Sequence, residues 1–232
     1  MKKNLTELVF VVDRSGSMGG LESDTIGGFN ATLARHRAAE GEAVVSTVLF
    51  DNEIDVLHDR ISIAEVNDMT DRDYQVRGCT ALLDAVGSTI NHISKVHGYL
   101  PDEYRPERTI FVIITDGYEN ASRKYDYRQV KDMIERKQEE GWEFLFLGAN
   151  IDAIGEAAKI GIAHDRSATF INDSTGQRVA YEAIADATCA MRAQPMSAPR
   201  MGSAWKGNVE ADTSARSGSG KRTSKLAGFF KR

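Results

Sequence analysis

The run Leu8-Val-Phe-Val-Val12 contains no polar residue and is cut off at Asp13. An alternating strand would leave one face in water. A continuous apolar strand needs cover on both faces, as at the centre of a parallel sheet with helices on either side. We read this strand as Glu7–Asp13. A second run of the same kind, Thr109-Ile-Phe-Val-Ile-Ile-Thr115, ends at Asp116-Gly117. Two buried strands that each end in a carboxylate are natural central neighbours of a doubly wound sheet. Ligands of such sheets sit beyond the carboxyl ends of the strands, where the winding direction reverses.

The rest of the chain supplies the other layers. Ala43–Asp51, Ile54–His58, Trp142–Leu147 and Ala168–Ile171 read as strands, with Ile54–His58 the partner of a hairpin at the sheet edge. Helices are predicted from Leu21 to near Gly41, from Leu82 to Gly98, from Tyr127 to Gly141, from an Asp152 N-cap through Ile160, and across Val179–Met191. Strands alternating with helices imply parallel pairing and right-handed crossovers, hence an α/β three-layer sandwich. Gly27 and Gly28 interrupt the first helix, and we read them as close packing of that helix on the sheet.

Composition limits the function classes. Of 232 residues, 41% are hydrophobic, enough for one sizeable core. Residues 194–232 hold eight Lys/Arg against two Asp/Glu, a surplus of +6; with a net charge of −5, residues 1–193 carry −11. An acidic body suits cations and argues against nucleic acid as its partner. Two cysteines, Cys79 and Cys189, favour a reducing compartment over a disulfide framework. No apolar run has membrane-spanning length, and the N-terminal run is too short for a signal core, so the expected location is cytoplasmic. After Pro195 the periodicity fades. Residues 194–232 are expected to be a disordered, basic, Ser/Gly-rich tail, whose L-A-G-F-F-K-R stretch is either loose or a docking element.

The chemistry lies in the loops after the two central strands. Asp13-x-Ser15-x-Ser17 delivers a carboxylate and two hydroxyls to one polar turn, a donor set for a hard cation. Alone it can also be read as a Ser/Gly turn capping a helix, and Thr80 alone as an N-cap for the Leu82 helix, a role compatible with binding the cation. Together with Thr80 in G-C-T-A-L-L-D-A and Asp116 in T-D-G, the pattern resembles the von Willebrand factor A domain over about residues 5–193. These three loops would be its metal-ion-dependent adhesion site. The resemblance implies a Rossmann-like, mostly parallel six-stranded sheet with one antiparallel edge strand, Ile54–His58. It also implies Mg²⁺ or Mn²⁺ held by Asp13, Ser15, Ser17, Thr80 and Asp116, and a partner protein whose Glu or Asp carboxylate completes the shell. Stand-alone relatives suggest an AAA+ ATPase or a phage or stress-cluster protein as that partner, in assembly or scaffolding.

Enzyme readings have less behind them. There is no Gly-x-Ser-x-Gly elbow and no Gly-Lys-Ser/Thr phosphate loop. His92 and His97 lie five apart, on different helix faces. The alternative kept open is a Mg²⁺/Mn²⁺-dependent hydrolase of a phosphate ester. Tyr118 and Glu119, which follow Asp116, are either partner contacts or ordinary surface.

Overall fold

A computed structural model describes residues 1–219. The elements run β1 (Lys2–Asp13), α1 (Glu22–Ala38), β2 (Glu42–Phe50), β3 (Ile54–Ser62), α2 (Leu82–Tyr99), β4 (Pro106–Thr115), α3 (Tyr127–Glu139), β5 (Glu143–Ala149), α4 (Ala153–Lys159), β6 (Ser167–Phe170), α5 (Ser174–Ala193) and α6 (Gly207–Ser219). The sheet order is β3-β2-β1-β4-β5-β6. Every pairing is parallel except that of β3 with β2, so β3 is the antiparallel edge. β1 and β4 are direct neighbours, with Val12 beside Ile114.

Burial on both faces explains the continuous apolar runs. Leu8, Phe10 and Val12 point into one core with Phe29 and Leu33 of α1 and Ile184 of α5. Val9 and Val11 point into the other, with Val86 and Ile90 of α2 and Val130 and Ile134 of α3. β1 begins at Lys2, before the expected Glu7, because its first residues pair with β4 across a register shift. β3 continues to Ser62 through an irregularity where Arg60 adopts a positive φ of 54°. That turn aims the Arg60 guanidinium at the fully buried Glu7, 2.9 Å away.

The expected disordered tail is corrected in part. The chain forms a 3-10 turn at Ser203–Lys206 and then α6, which packs on α5 and β6. Thr213 Oγ1 donates to the Thr169 carbonyl, so a helix covers the β6 edge. The isolated strand edge supplies the reason: unpaired carbonyls on an edge strand favour a covering element, and Val209 is buried in the α1/α5 core. The L-A-G-F-F-K-R stretch lies outside the described residues.

Helices α1 and α5 pack side by side through a polar contact and a glycine. His36 is fully buried. Arg192 Nη1 lies 3.0 Å from its Nδ1, and its Nε2 lies 2.9 Å from Thr188 Oγ1, which in turn donates to the Ile184 carbonyl. Arg192 can only donate, so the neutral ring accepts at Nδ1 and donates from Nε2. Burial, then the charges of Arg192 and Arg35, push its pKa down to about 3. Gly28 packs against this helix pair and not against the sheet, correcting the expectation for it: a Cβ there would lie 2.4 Å from the Tyr181 ring. A Cβ on Gly27 would meet nothing within 4 Å.

Two outcomes follow from this packing. His36 binds a proton less readily folded than unfolded, so acid favours the unfolded chain. Stability contributed by this residue is complete above pH 6.5 and is lost at about 1.4 kcal/mol per pH unit as pH falls toward 3. Urea unfolding of wild type and His36→Gln at several pH values should show a shallower acid slope in the variant; parallel curves would refute the assignment. Gly27→Ala should stabilise by about 1 kcal/mol in thermal unfolding, through helix propensity alone. Gly28→Ala should destabilise, because the Tyr181 ring it would strike is buried.

Candidate metal centre

The carboxyl ends of β1 and β4 open into three loops, and hydrogen bonds fix each one. After β1 the chain makes a tight turn at Gly16–Met18, with Met18 N bonded to the Ser15 carbonyl. The loop before α2 is tied back to this turn: Gly16 N donates to the Gly78 carbonyl, Arg77 N to the Arg14 carbonyl, and Ala81 N to the Asp51 carbonyl. The loop after β4 is held by two side chains turned inward. Glu119 accepts from the amides of Leu83, Ala121 and Ser122 and from the Ser122 hydroxyl. Asp84 accepts from the amides of Arg123, Lys124 and Tyr125. Glu119 is therefore a clamp on the start of α2 and not a free partner contact, whereas Tyr118 is 52% exposed.

These loops bring the five sequence-predicted residues together. Thr80 Oγ1 donates to Ser15 Oγ at 3.1 Å, Ser15 Oγ and Ser17 Oγ lie 3.2 Å apart, and Ser17 Oγ donates to Asp116 Oδ1 at 2.5 Å. Asp13 Oδ1 accepts from the Ser15 amide at 2.7 Å and Oδ2 from Thr115 Oγ1 at 2.5 Å. Neither serine caps α1, and Thr80 does not cap α2. The first α2 amides are taken instead by Glu119 and Ser122, so the Thr80 hydroxyl stays directed at the serines.

Asp13 has no exposed surface and Asp116 very little. Burial, with a smaller contribution from the nearby Asp116 charge, raises the Asp13 carboxyl to about 6 against the lowering effect of its bonds to Thr115 and Ser15. Burial also raises Asp116, opposed by its bonds to Ser17 and Asn172. The partners of both carboxylates are hydroxyls and amides, so among the described residues no basic side chain is bonded to these two buried negative charges. A divalent cation fits this deficit. The fit extends to spacing: oxygens around Mg²⁺ at about 2.1 Å in an octahedron are about 3.0 Å apart, close to the separations of the three hydroxyls. The donor set is oxygen only. Among the described residues no group of three or more His, Cys, Asp or Glu side chains could hold a metal ion, so a site here depends on the hydroxyls.

Four supporting residues escaped the sequence reading. Thr115 and Tyr74 hold the end of β1, Tyr74 by donating to the Asp13 carbonyl at 2.5 Å. Asn172, between β6 and α5, donates from Nδ2 to Asp116 Oδ2 at 2.7 Å. Gln177 of α5 holds Asn172 by donating to its Oδ1 at 3.0 Å. Thr115 was visible as the last residue of its strand; the other three are single polar residues with no pattern around them. Further out, Asp51 accepts from Arg14 at 2.9 Å and Arg77 at 2.8 Å. Burial alone would raise the Asp51 carboxyl, but bonds from Arg77, the Glu53 amide and Arg14 hold it below its ordinary value. A Cβ on Gly117 would lie 2.7 Å from Thr80 Oγ1, so a larger residue there displaces that hydroxyl.

Comparison with known proteins identifies the family and the fold. The family model described as von Willebrand factor type A domain matches residues 7–183. No curated protein matches. Among solved structures, the vWF domain of the type V pilus tip protein Mfa5 from Porphyromonas gingivalis aligns at a TM-score of 0.60 and 10% identity, over 84% of this chain and 98% of that one. A von Willebrand factor type A protein from Catenulispora acidiphila aligns at 0.54 and 15% identity, over 79% of this chain and 42% of its own. Proximal thread matrix protein 1 from the mussel byssus, solved with a zinc-occupied MIDAS motif, aligns at 0.54 and 15% identity over 79% of this chain. This chain spans under half of the mussel protein's length, 46%. At these identities the likeness establishes the fold.

Gly117→Ala tests the arrangement without touching a candidate ligand. The added methyl should displace the Thr80 hydroxyl and weaken Mn²⁺ binding, measured by calorimetry, by about 10- to 100-fold, the usual effect of disturbing a ligand's support. Circular dichroism should be unchanged. Wild-type affinity in the variant would remove Thr80 from the site.

Proposed function

The chain belongs to the von Willebrand factor type A domain family, and on that premise we propose that it is a binding module in which a divalent cation at the β1/β4 crevice captures a carboxylate from a partner protein. Asp13, Ser15, Ser17, Thr80 and Asp116 would hold Mg²⁺ or Mn²⁺. The observation that carries this reading is the row of hydroxyls running from Thr80 through Ser15 and Ser17 to Asp116, beside the buried Asp13. Three neutral hydroxyls donate little charge, and the two carboxylates formally balance the cation. A metal so held stays electrophilic and favours an incoming anionic oxygen.

The chain's own residues set the rest. Thr115 and the Ser15 amide orient the Asp13 carboxylate, and Asn172 and Ser17 orient that of Asp116. In this reading the cation bridges two acidic surfaces, which suits a body of negative charge. We place the module in the cytoplasm, in assembly or scaffolding, with an AAA+ ATPase or a phage or stress-cluster protein as the class of partner. No helix among the described residues is long and apolar enough to cross a membrane. We assign no catalytic residue.

Asp13→Ala and Asp116→Ala should each abolish Mg²⁺ and Mn²⁺ binding in titration calorimetry while the fold survives. Retention of partner protein on immobilised wild type should be lost with EDTA and with Asp13→Ala alike. Unchanged metal affinity in both variants would refute the site. Phosphate-ester turnover that needs Mg²⁺ or Mn²⁺ and disappears in Asp13→Ala would replace the binding module with the hydrolase.

A further inference from the structure

Helix α6 lies beyond residues 7–183, the stretch that the family model matches. It is fastened along β6 in the direction of the candidate metal centre. Lys206 Nζ donates to the Ser167 carbonyl at 3.0 Å, and Thr213 Oγ1 to the Thr169 carbonyl at 3.0 Å. Val209, between them in the chain, is buried. Further along α6, Arg216 Nη1 donates to Asp173 Oδ2 at 2.5 Å. The same guanidinium is held on its own helix, where Nε and Nη2 donate to Asp212 Oδ2 at 3.1 and 2.6 Å.

Asp173 therefore serves two helices. Its Oδ1 accepts from the Gly176 amide at 2.8 Å as the N-cap of α5, while its Oδ2 takes the α6 guanidinium. The bond from Arg216, then that from the Gly176 amide, hold this carboxyl below its ordinary value. The turn is tightly packed: a Cβ on Gly176 would lie 1.9 Å from the Ile171 carbonyl oxygen and 3.2 Å from Arg216 Nη2. The residue before Asp173 is Asn172, which donates to Asp116 Oδ2 at 2.7 Å. A single peptide bond thus joins the residue gripped by α6 to the one that orients a candidate metal ligand.

We propose that α6 is a strap that sets the cation affinity of the centre, with Arg216 and Asp173 as positioning residues; this rests on the cation-site reading above. Arg216 holds Asp173, the Asp173 backbone holds Asn172, and the Asn172 amide engages one Asp116 oxygen while Ser17 engages the other. With α6 docked, Asp116 is oriented before a cation arrives, as outer partners orient metal ligands generally. With the Arg216 bond lost, the turn keeps its cap on α5 but loses its anchor on α6. Linkage is reciprocal, so a bound cation strengthens the docking of α6 by the same factor.

The test compares the full wild-type chain with Arg216→Ala, Asp173→Asn and the double variant. Asn caps a helix as well as Asp does, so Asp173→Asn removes the charge pair and keeps α5 capped and folded. Each single variant should weaken Mn²⁺ binding in titration calorimetry by about 3- to 10-fold. The double variant should lose no more than either single one, because both break the same link. In the metal-free chain, the Asn172 side-chain amide protons should exchange with water faster in each variant, read by NMR. Affinity within about twofold of wild type in either single variant overturns the proposal, as do additive losses. Unchanged Asn172 exchange overturns it too. A wild type that binds no Mn²⁺ refutes the cation site itself. Failure of the strap alone is distinct from this: wild type binds, and the variants bind equally well.

Discussion

Asp13 is a carboxylate with no exposed surface at the end of the central strand, and a second carboxylate lies across the crevice on Asp116. Burying an ionised group without a counter-charge costs several kcal/mol even after relaxation. The surrounding architecture is arranged around that cost. The Ser15 amide and Thr115 hydroxyl take both Asp13 oxygens, Ser17 and Asn172 take those of Asp116, and the remaining deficit of positive charge suits a divalent cation. These donors come from three separate stretches of the chain, the turn after β1, the end of β4 and the segment before α5, so the site exists only when those stretches are in position.

Loop position depends in turn on a layer of charge and backbone bonding outside the hydroxyls. Asp51 accepts from both Arg14 and Arg77, which ties the ends of β1 and β2 to the loop that carries Thr80. Glu119 and Asp84 each use a carboxylate to gather three backbone amides, and so fix the loop after β4 against the start of α2. Asn172 and Gln177 bring the N-terminal end of α5 to Asp116. The candidate centre therefore touches α5, and α5 touches α1 through His36 and Gly28. Polar residues are dense at this end of the sheet because every loop there must satisfy buried backbone groups as well as hold a side chain in place.

Much of this was legible beforehand, for physical reasons specific to particular stretches. Leu8–Val12 and Ile110–Ile114 read as central strands because only a sheet covered on both faces hides unbroken apolar runs, and both are buried throughout. Asp152 read as an N-cap, and its side chain accepts from the Gly155 amide. Gly27 and Gly28 misled, since a glycine reports close approach or open space without saying to what. Residues 203–219 misled because their apolar content is low; a helix of modest periodicity holds its place on β6 through Val209, Trp205 and the Thr213 bond to an edge carbonyl.

The sequence by itself determined the alternation of strand and helix, the two carboxylates at the ends of central strands, and the spacing of the hydroxyls between them, because these depend on patterns local to each segment. Tertiary structure alone decided that Thr80 faces the serines instead of capping α2, that Asn172 and Gln177 support Asp116, and that α6 covers the β6 edge. Those choices are made by groups separated by tens of residues, competing for the same few donors and acceptors. Which one wins is settled by the distances that a folded sheet imposes, and no local pattern records them.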